Sequence, residues 1–325
     1  MSFLKTRIPQ SKSISTEQTL LLTDNMANHK HLRTVIEDIH ANDDMLTRDL
    51  LMKLINEFRY SNLFIPAKRQ KGTLNFIIYE DCEGKITPLF TDEDEFRKFY
   101  RDDDIQIIQN TFELYQNIIK TTDIEGYILN PASEKYLFTD KFILGITNLP
   151  KTSFYSSNPY DEDELKSLIT NMDNTSLEEF ISKRENVGYY EGLFEKLSGS
   201  TVMALMLSPN DISNHAEDGL ISMKSTGPLA QMYVDRIGGE YACIFTSTEK
   251  MKAVNSDCYK YAQIINVATL VNFVLSEDMD GIVINPESDN VLIPRSELLR
   301  YSLGFEKFAN DERLCESIYY LFLIE

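Results

Sequence analysis

The chain has 325 residues, of which 42% are apolar and 11% aromatic, with no Trp. That is enough for two domains with separate cores, and the composition is globular rather than disordered. The 51 acidic against 32 basic residues leave a formal charge of −19, which repels phosphate and argues against nucleic acid or an anionic membrane as partner.

No apolar run reaches membrane-spanning length, and Leu20-Leu21-Leu22 is too short for a signal core, so no membrane insertion is expected. Four cysteines, Cys82, Cys243, Cys258 and Cys315, form no CxxC pair. They suggest neither a zinc site nor a disulfide framework, and reduced thiols in a cytoplasmic protein are the expectation.

Residues 1 to about 30 read as a polar, mobile arm. Leu32, Val35, Ile36 and Ile39 repeat at helical spacing and predict a short amphipathic helix, stopped by His40 to Asp44, which also cap the next one. His29, His31 and His40 cluster here without matching ligand spacing, so they read as a solvated helix surface and not a metal site. A helix over about 46–59 is expected, with Leu46, Leu50, Leu51, Leu54, Ile55 and Phe58 lining one face. Leu63 to Pro66 reads as a strand ended by its proline, and Lys68 to Gly72 as a basic turn. Leu74 to Tyr79 and Lys85 to Phe90 predict a hairpin turned by Asp81-Cys82-Glu83-Gly84.

Thr91 is placed as the hydroxyl cap of a helix running to Tyr100, and the acidic residues 92–95 as dipole compensation in its first turn. Ile105 to Ile108 suggests a strand, and Phe112, Tyr115 and Ile119 a helix. Glu125-Gly126-Tyr127-Ile128-Leu129-Asn130-Pro131 reads as a buried strand entered through glycine and left through a turn, with Pro131 biasing Asn130 to extended geometry. Residues 146–160 read as a linker, and 161–171 and 176–184 as two exposed connecting helices. Strands are then expected at Val202 to Leu207, Leu220 to Met223, Leu229 to Asp235 and Tyr241 to Phe245. Residues 208–218 form a loop absent from the first half, and Ile318 to Ile324 is an apolar segment expected to dock on a core.

The stretch from Phe90-Thr91 to Asn130-Pro131 occurs twice. Phe245, Thr246, Asp280, Gly281, Asn285 and Pro286 lie 155 positions after Phe90, Thr91, Glu125, Gly126, Asn130 and Pro131. The expected fold is α+β: two tandem related domains, each a mixed sheet packed with helices, plus a short helical N-terminal extension. The divisions are an arm and helix over 1–45, a first domain over 46–150, a linker with connecting helices over 151–190 and a second domain over 191–325.

These residues resemble a known family. Asn62 to Pro66, a hairpin, Pro88-Leu89-Phe90-Thr91-Asp92 and then Glu125 to Pro131 resemble the SseB-type (enhanced serine sensitivity) N-terminal domain. The resemblance covers roughly 45–145, and 190–305 more weakly, since Leu207 stands where Pro66 would recur. It implies the fold and no reaction, because the family has no assigned catalytic residues.

No GxGxxG, Walker A, HExxH or GxSxG occurs. No catalytic, cofactor or metal residue is picked out. The motif residues Thr91, Glu125, Gly126, Asn130, Pro131, Thr246, Asp280, Gly281, Asn285 and Pro286 are the candidate site, with structural roles expected for most. The sequence therefore points to a non-catalytic protein-binding or scaffolding protein whose partner is unidentified. The alternative is a carboxylate-dependent hydrolase with its site in an inter-domain cleft, for which Glu125 and Asp280 are the best-matched acids.

Overall fold

The computed structural model describes residues 29–146, 162–302 and 320–323, apart from 43–44, 71–72, 82–83, 102–103, 184–187, 208–211, 214–215, 217–219, 223–229, 232, 237 and 255–260. The expected arm, almost all of the 146–160 linker, most of the 208–218 loop and three of the four cysteines lie outside the described residues. The chain divides into two compact units, Met1–Asn148 and Leu149–Glu325. Both combine helices with antiparallel and mixed sheets, an α+β architecture.

The first unit opens with two helices, α1 (Lys30–Ala41) and α2 (Arg48–Tyr60). The α1 stripe Leu32, Val35, Ile36 and Ile39 is buried and shares one core with Leu54 and Phe58 of α2. The first helix is therefore part of the domain, not an extension of it. Thr47, beyond the His40 to Asp44 stretch expected to do so, caps α2, its hydroxyl accepting from the Leu50 N–H.

Three strands form the first sheet: β1 (Phe64–Gln70), β2 (Thr73–Phe76) and β5 (Ile105–Gln109), in the order β2-β1-β5. A second sheet holds β3 (Tyr79–Asp81), β4 (Gly84–Leu89), β6 (Gly126–Leu129) and β7 (Tyr136–Thr139) in chain order. The strands β4 and β6 run parallel, connected through α3 (Glu93–Phe99), β5 and α4 (Phe112–Thr121); α5 (Asp140–Gly145) follows β7.

Two expectations change here. The predicted strand 74–79 is two strands serving different sheets, because the chain crosses over at Ile77-Ile78. Pro66 lies inside β1 and does not end it. Neighbouring residues of a strand send their N–H and C=O to opposite edges. Phe64 exchanges both bonds with Phe90 across one edge, so the donor that Pro66 lacks also points to that edge. At Pro66 itself that edge is met by the Ile77 N–H, which donates to the Pro66 carbonyl. The missing N–H falls where the neighbour of β1 changes from Phe90 to β2.

The core of this unit is aromatic. Phe58 stacks on Phe138 at 4.1 Å and meets Phe112 edge-on at 5.7 Å. Across the sheets a smaller cluster of Phe64, Phe90, Phe96 and Tyr100 is joined by half-buried Ile105 and Ile107.

The second unit carries α6 (Glu162–Thr170), α7 (Thr175–Lys183) and α8 (Tyr189–Ser198) before its first strand, β8 (Val202–Leu207). The expectation of exposed connecting helices is corrected. Leu177 and Ile181 of α7 are buried, and Leu168 and Ile169 of α6 pack against the core of Met203, Leu205, Phe245 and Met251. Next come β9 (Leu220–Ser222), β10 (Ala230–Gln231), β11 (Tyr233–Arg236), β12 (Gly239–Ile244), α9 (Thr248–Lys252), β13 (Tyr261–Ile265), α10 (Val267–Ser276), β14 (Gly281–Ile284), β15 (Val291–Pro294), α11 (Arg295–Ser302) and β16 (Tyr320–Leu323).

One sheet runs β11-β12-β14-β15, with β12 and β14 parallel. The other runs β10-β8-β13-β16-β9. The bridge Phe64↔Phe90 of the first unit recurs as Met203↔Phe245 in the second. The apolar C-terminal segment is a strand, and it enters the sheet between β13 and β9.

Candidate functional site

The site is built outward from the asparagine at the end of each parallel strand. Asn130 is fully buried at φ 40° and Asn285 is buried at φ 50°. Both contradict the expected extended geometry. Asn tolerates positive φ better than most residues, since its short polar side chain can bond locally. Pro131 and Pro286 sit one residue on, at the second position of turns closed by the Ser133 and Ser288 N–H groups donating to the Asn130 and Asn285 carbonyls.

Both asparagine side chains reach across 39 residues. Asn130 Oδ1 accepts from the Thr91 N–H at 3.1 Å. Its Nδ2 donates to Thr91 Oγ1 at 3.0 Å and to Glu134 Oε2 at 2.8 Å. Asn285 repeats the set: Oδ1 accepts from the Thr246 N–H at 3.0 Å, and Nδ2 donates to Thr246 Oγ1 at 2.9 Å and to Asp289 Oδ2 at 2.7 Å. Glu134 and Asp289 keep the 155-residue spacing.

Thr91 and Thr246 are therefore buried partners of these asparagines and not helix caps. The caps are the next residues: Asp92 accepts from the Glu95 N–H, and Ser247 from the Lys250 N–H.

A charged side chain from one helix of each unit, α1 or α7, closes the site, with signs reversed between units. In the first, Arg33 of α1 donates to Glu134 Oε1 at 2.6 Å and lies 3.4 Å from both Asp92 and Glu95. Glu95, fully buried, also accepts from Lys98 at 2.5 Å and Ser133 at 2.6 Å. Burial opposes its ionisation, yet the Lys98 and Ser133 hydrogen bonds and the Lys98 and Arg33 charges hold its pKa below the usual carboxylate value.

In the second unit Lys250 stands four residues after Thr246, where Glu95 stands four after Thr91. It bonds Glu178 of α7 at 2.9 Å and Asp289 at 2.8 Å, while Thr246 Oγ1 donates to Glu178 at 2.6 Å. Burial alone would lower the Lys250 pKa, but Asp289 and Glu178 raise it. Arg33 and Glu178 are each the fourth residue of their helix.

The residue before each helix adds a further tie. His29, buried, bonds the Asn62 carbonyl through Nε2 at 3.3 Å. Asn174, in the same place before α7, donates to the Thr201 carbonyl at 2.6 Å and to the Thr246 carbonyl at 2.7 Å. His29 is thus a buried latch and not part of a solvated helix surface; His40 is exposed and meets the Glu134 carbonyl at 3.0 Å.

The remaining predicted residues brace the strand starts. A Cβ on Gly126 would lie 2.4 Å from the Phe138 carbonyl oxygen, and one on Gly281 2.1 Å from that of Ile293. Close backbone approach is what requires glycine there. The carboxylates of Glu125 and Asp280 fill the space over Gly84 and Gly239, where a Cβ would sit 2.3 Å and 2.8 Å from them, and Asp280 also accepts from the Glu240 N–H.

The structure thus groups Thr91 with Asn130, and Thr246 with Asn285. Glu125 and Asp280 lie at the opposite ends of their strands. Sequence reasoning missed Arg33, Glu95, Glu134, Glu178, Lys250 and Asp289. The available signal was the recurrence of an acid four residues after each Asn-Pro asparagine. Among the described residues no group of three or more His, Cys, Asp or Glu is placed to hold a metal ion, and no helix is long and apolar enough to cross a membrane. Comparison with family models, curated proteins and solved structures finds no match.

Proposed function

We propose that this chain is a non-catalytic protein-binding or scaffolding protein built from two SseB-like units. The observation that carries the reading is the state of the acidic residues nearest the repeated motif. Glu95, Glu134, Asp289 and Glu178 each face a cation or an N–H or O–H donor in the same cluster. Glu125 and Asp280 lie against glycine backbone. Carboxylates so engaged orient chain segments. A general acid or base needs a carboxylate within hydrogen-bond reach of a substrate proton. The repeated motif then serves to hold edges and loops in place for a partner, and the resemblance to SseB-like domains adds a fold expectation without a reaction.

The experiment is affinity capture of the full chain from its source cells with quantitative mass spectrometry, run beside a broad hydrolase screen. A stoichiometric protein partner that survives washing at 0.5 M salt (about a 4 Å Debye length) supports the reading. Hydrolysis that Glu125→Gln plus Asp280→Asn abolishes, without loss of fold, overturns it.

A further inference from the structure

We infer that the outer edge of β5 is a docking site for an extended apolar peptide strand of a partner protein, added antiparallel to the first sheet. The inference rests on the protein-binding reading above and names where and what the chain binds.

The second unit supplies the template. Phe64 lies opposite Gln109, and Met203, which makes the matching bridge, lies opposite Ile264. Gln109 and Ile107 of β5 therefore hold the places of Ile264 and Ala262 in β13. On β13 that edge is filled by the chain's own β16, Tyr320-Leu321-Phe322-Leu323, antiparallel, with Ala262 opposite Phe322. All five residues of β13 are buried.

On β5 only β1 is paired among the described residues. The Asn110 N–H donates to the Leu63 carbonyl, so Asn110, Ile108 and Gln106 face β1 and the alternate residues Ile105, Ile107 and Gln109 face outward. Their edge N–H and C=O groups have no partner among the described residues. Ile105 and Ile107 are only half-buried, although they pack against the Phe64, Phe90, Phe96 and Tyr100 cluster.

Edge strands are normally protected by charge, proline or a bulge. Ile105-Gln106-Ile107-Ile108-Gln109 carries no charge and no proline. A strand added here would bond the outward backbone and complete the burial of both isoleucines, the usual mode of β-augmentation. The occupant's chemistry follows from β16: four residues of alternating aromatic and aliphatic character without charge.

The test uses the full chain and a lysine-flanked peptide of residues 316–325, Glu-Ser-Ile-Tyr-Tyr-Leu-Phe-Leu-Ile-Glu. Residue-resolved amide exchange is measured with and without it. Binding is expected to slow exchange at the Ile107 and Gln109 amides by about tenfold or more, since each gains a ladder bond. A peptide N-methylated along the bonding edge is expected not to do so. Ile107→Pro should abolish the effect while the chain stays folded. Position 107 faces Pro66 in a pair that exchanges no hydrogen bonds, so the substitution removes the outward donor without taking a ladder bond from β1.

The inference is overturned if those amides are already protected in the chain alone, because another segment then holds the edge. It is also overturned if protection appears only as the chain dimerises, or if the N-methylated peptide protects equally. Peptide failure alongside a captured native partner would remove this site and leave the protein-binding reading standing.

Discussion

Every polar atom of Asn130 is engaged. Its N–H donates to the Leu89 carbonyl, its carbonyl accepts from Ser133 and Lys135, and its amide ties Thr91 to Glu134. Truncation would leave the Thr91 N–H and hydroxyl and one Glu134 oxygen buried without it, and would place Ala at positive φ. Asn130→Ala should therefore lower stability by about 3 kcal/mol in urea unfolding, and Asn285→Ala by a similar amount in the second unit. A loss under 1 kcal/mol would mean that water replaces the amide. Glu95 and Lys250 give these clusters opposite pH responses. The Glu95 pKa is lowered on folding, so its stabilisation is present above about pH 4.5 and is lost as pH falls through the folded value. The Lys250 pKa is raised, so its contribution is present below about pH 10.5 and is lost as pH rises through the folded value. The gap in urea midpoint between wild type and Glu95→Gln should close in acid, and that for Lys250→Met in alkali. A gap that stays constant across pH would assign both side chains a packing role alone.

At the scale of elements, the same three-way contact docks a helix with either sign. Arg33 on α1 meets Glu95 and Glu134, while Glu178 on α7 meets Lys250, which in turn meets Asp289. This predicts a charge transplant. Arg33→Glu should destabilise the first unit by about 2–3 kcal/mol, since it puts a fourth carboxylate beside those of Asp92, Glu95 and Glu134. Adding Glu95→Lys should recover more than half of that loss, giving the charge order of Glu178, Lys250 and Asp289, with Asp92 remaining where the second unit has Ser247. A double variant no better than the sum of its parts would show that the two sites are not interchangeable. Strand spacing is tested at Gly126: Gly126→Ala forces a Cβ to 2.4 Å from a backbone oxygen, whereas Gly145→Ala meets nothing within 4 Å. We expect a loss of about 3 kcal/mol for the first and less than 0.5 kcal/mol for the second, by urea midpoint.

These contrasts also explain what the sequence could carry. The 155-residue register was legible because the β4–β6 and β12–β14 segments and their turns are fixed by Gly, Asn and Pro, whose backbone demands are few and specific. The helical pair was not legible as part of the repeat. Arg33 and Glu178 are 145 apart, out of that register, and the interaction survives a swap of charge that erases identity. Thr91 was misread because a hydroxyl before an acidic run has the local signature of a cap. Only the fold brings Asn130 to it and leaves capping to Asp92.

For the molecule as a whole, the C-terminal strand distinguishes the two units. It pairs with β13 on one side and, among the described residues, is the only partner of β9 on the other. Removing residues 318–325 would therefore open the edge of β13 and release β9 from its sheet. It would also uncover Ala262 and Ile264, now buried in the core with Met203 and Phe245. Loss of a central strand removes ladder bonds and apolar contacts together, so the deletion should abolish slow amide exchange at Thr246 while leaving it intact at Thr91, which is bonded within the first unit. The first sheet needs no such strand to keep its core, because Ile65 and Leu63 are already buried between helices and β4. An equal loss of protection at Thr91 and Thr246 would show that the C-terminal strand supports both units. Retention at both would show that β13 tolerates an open edge as β5 does, and would remove the asymmetry on which an accepting β5 edge is argued.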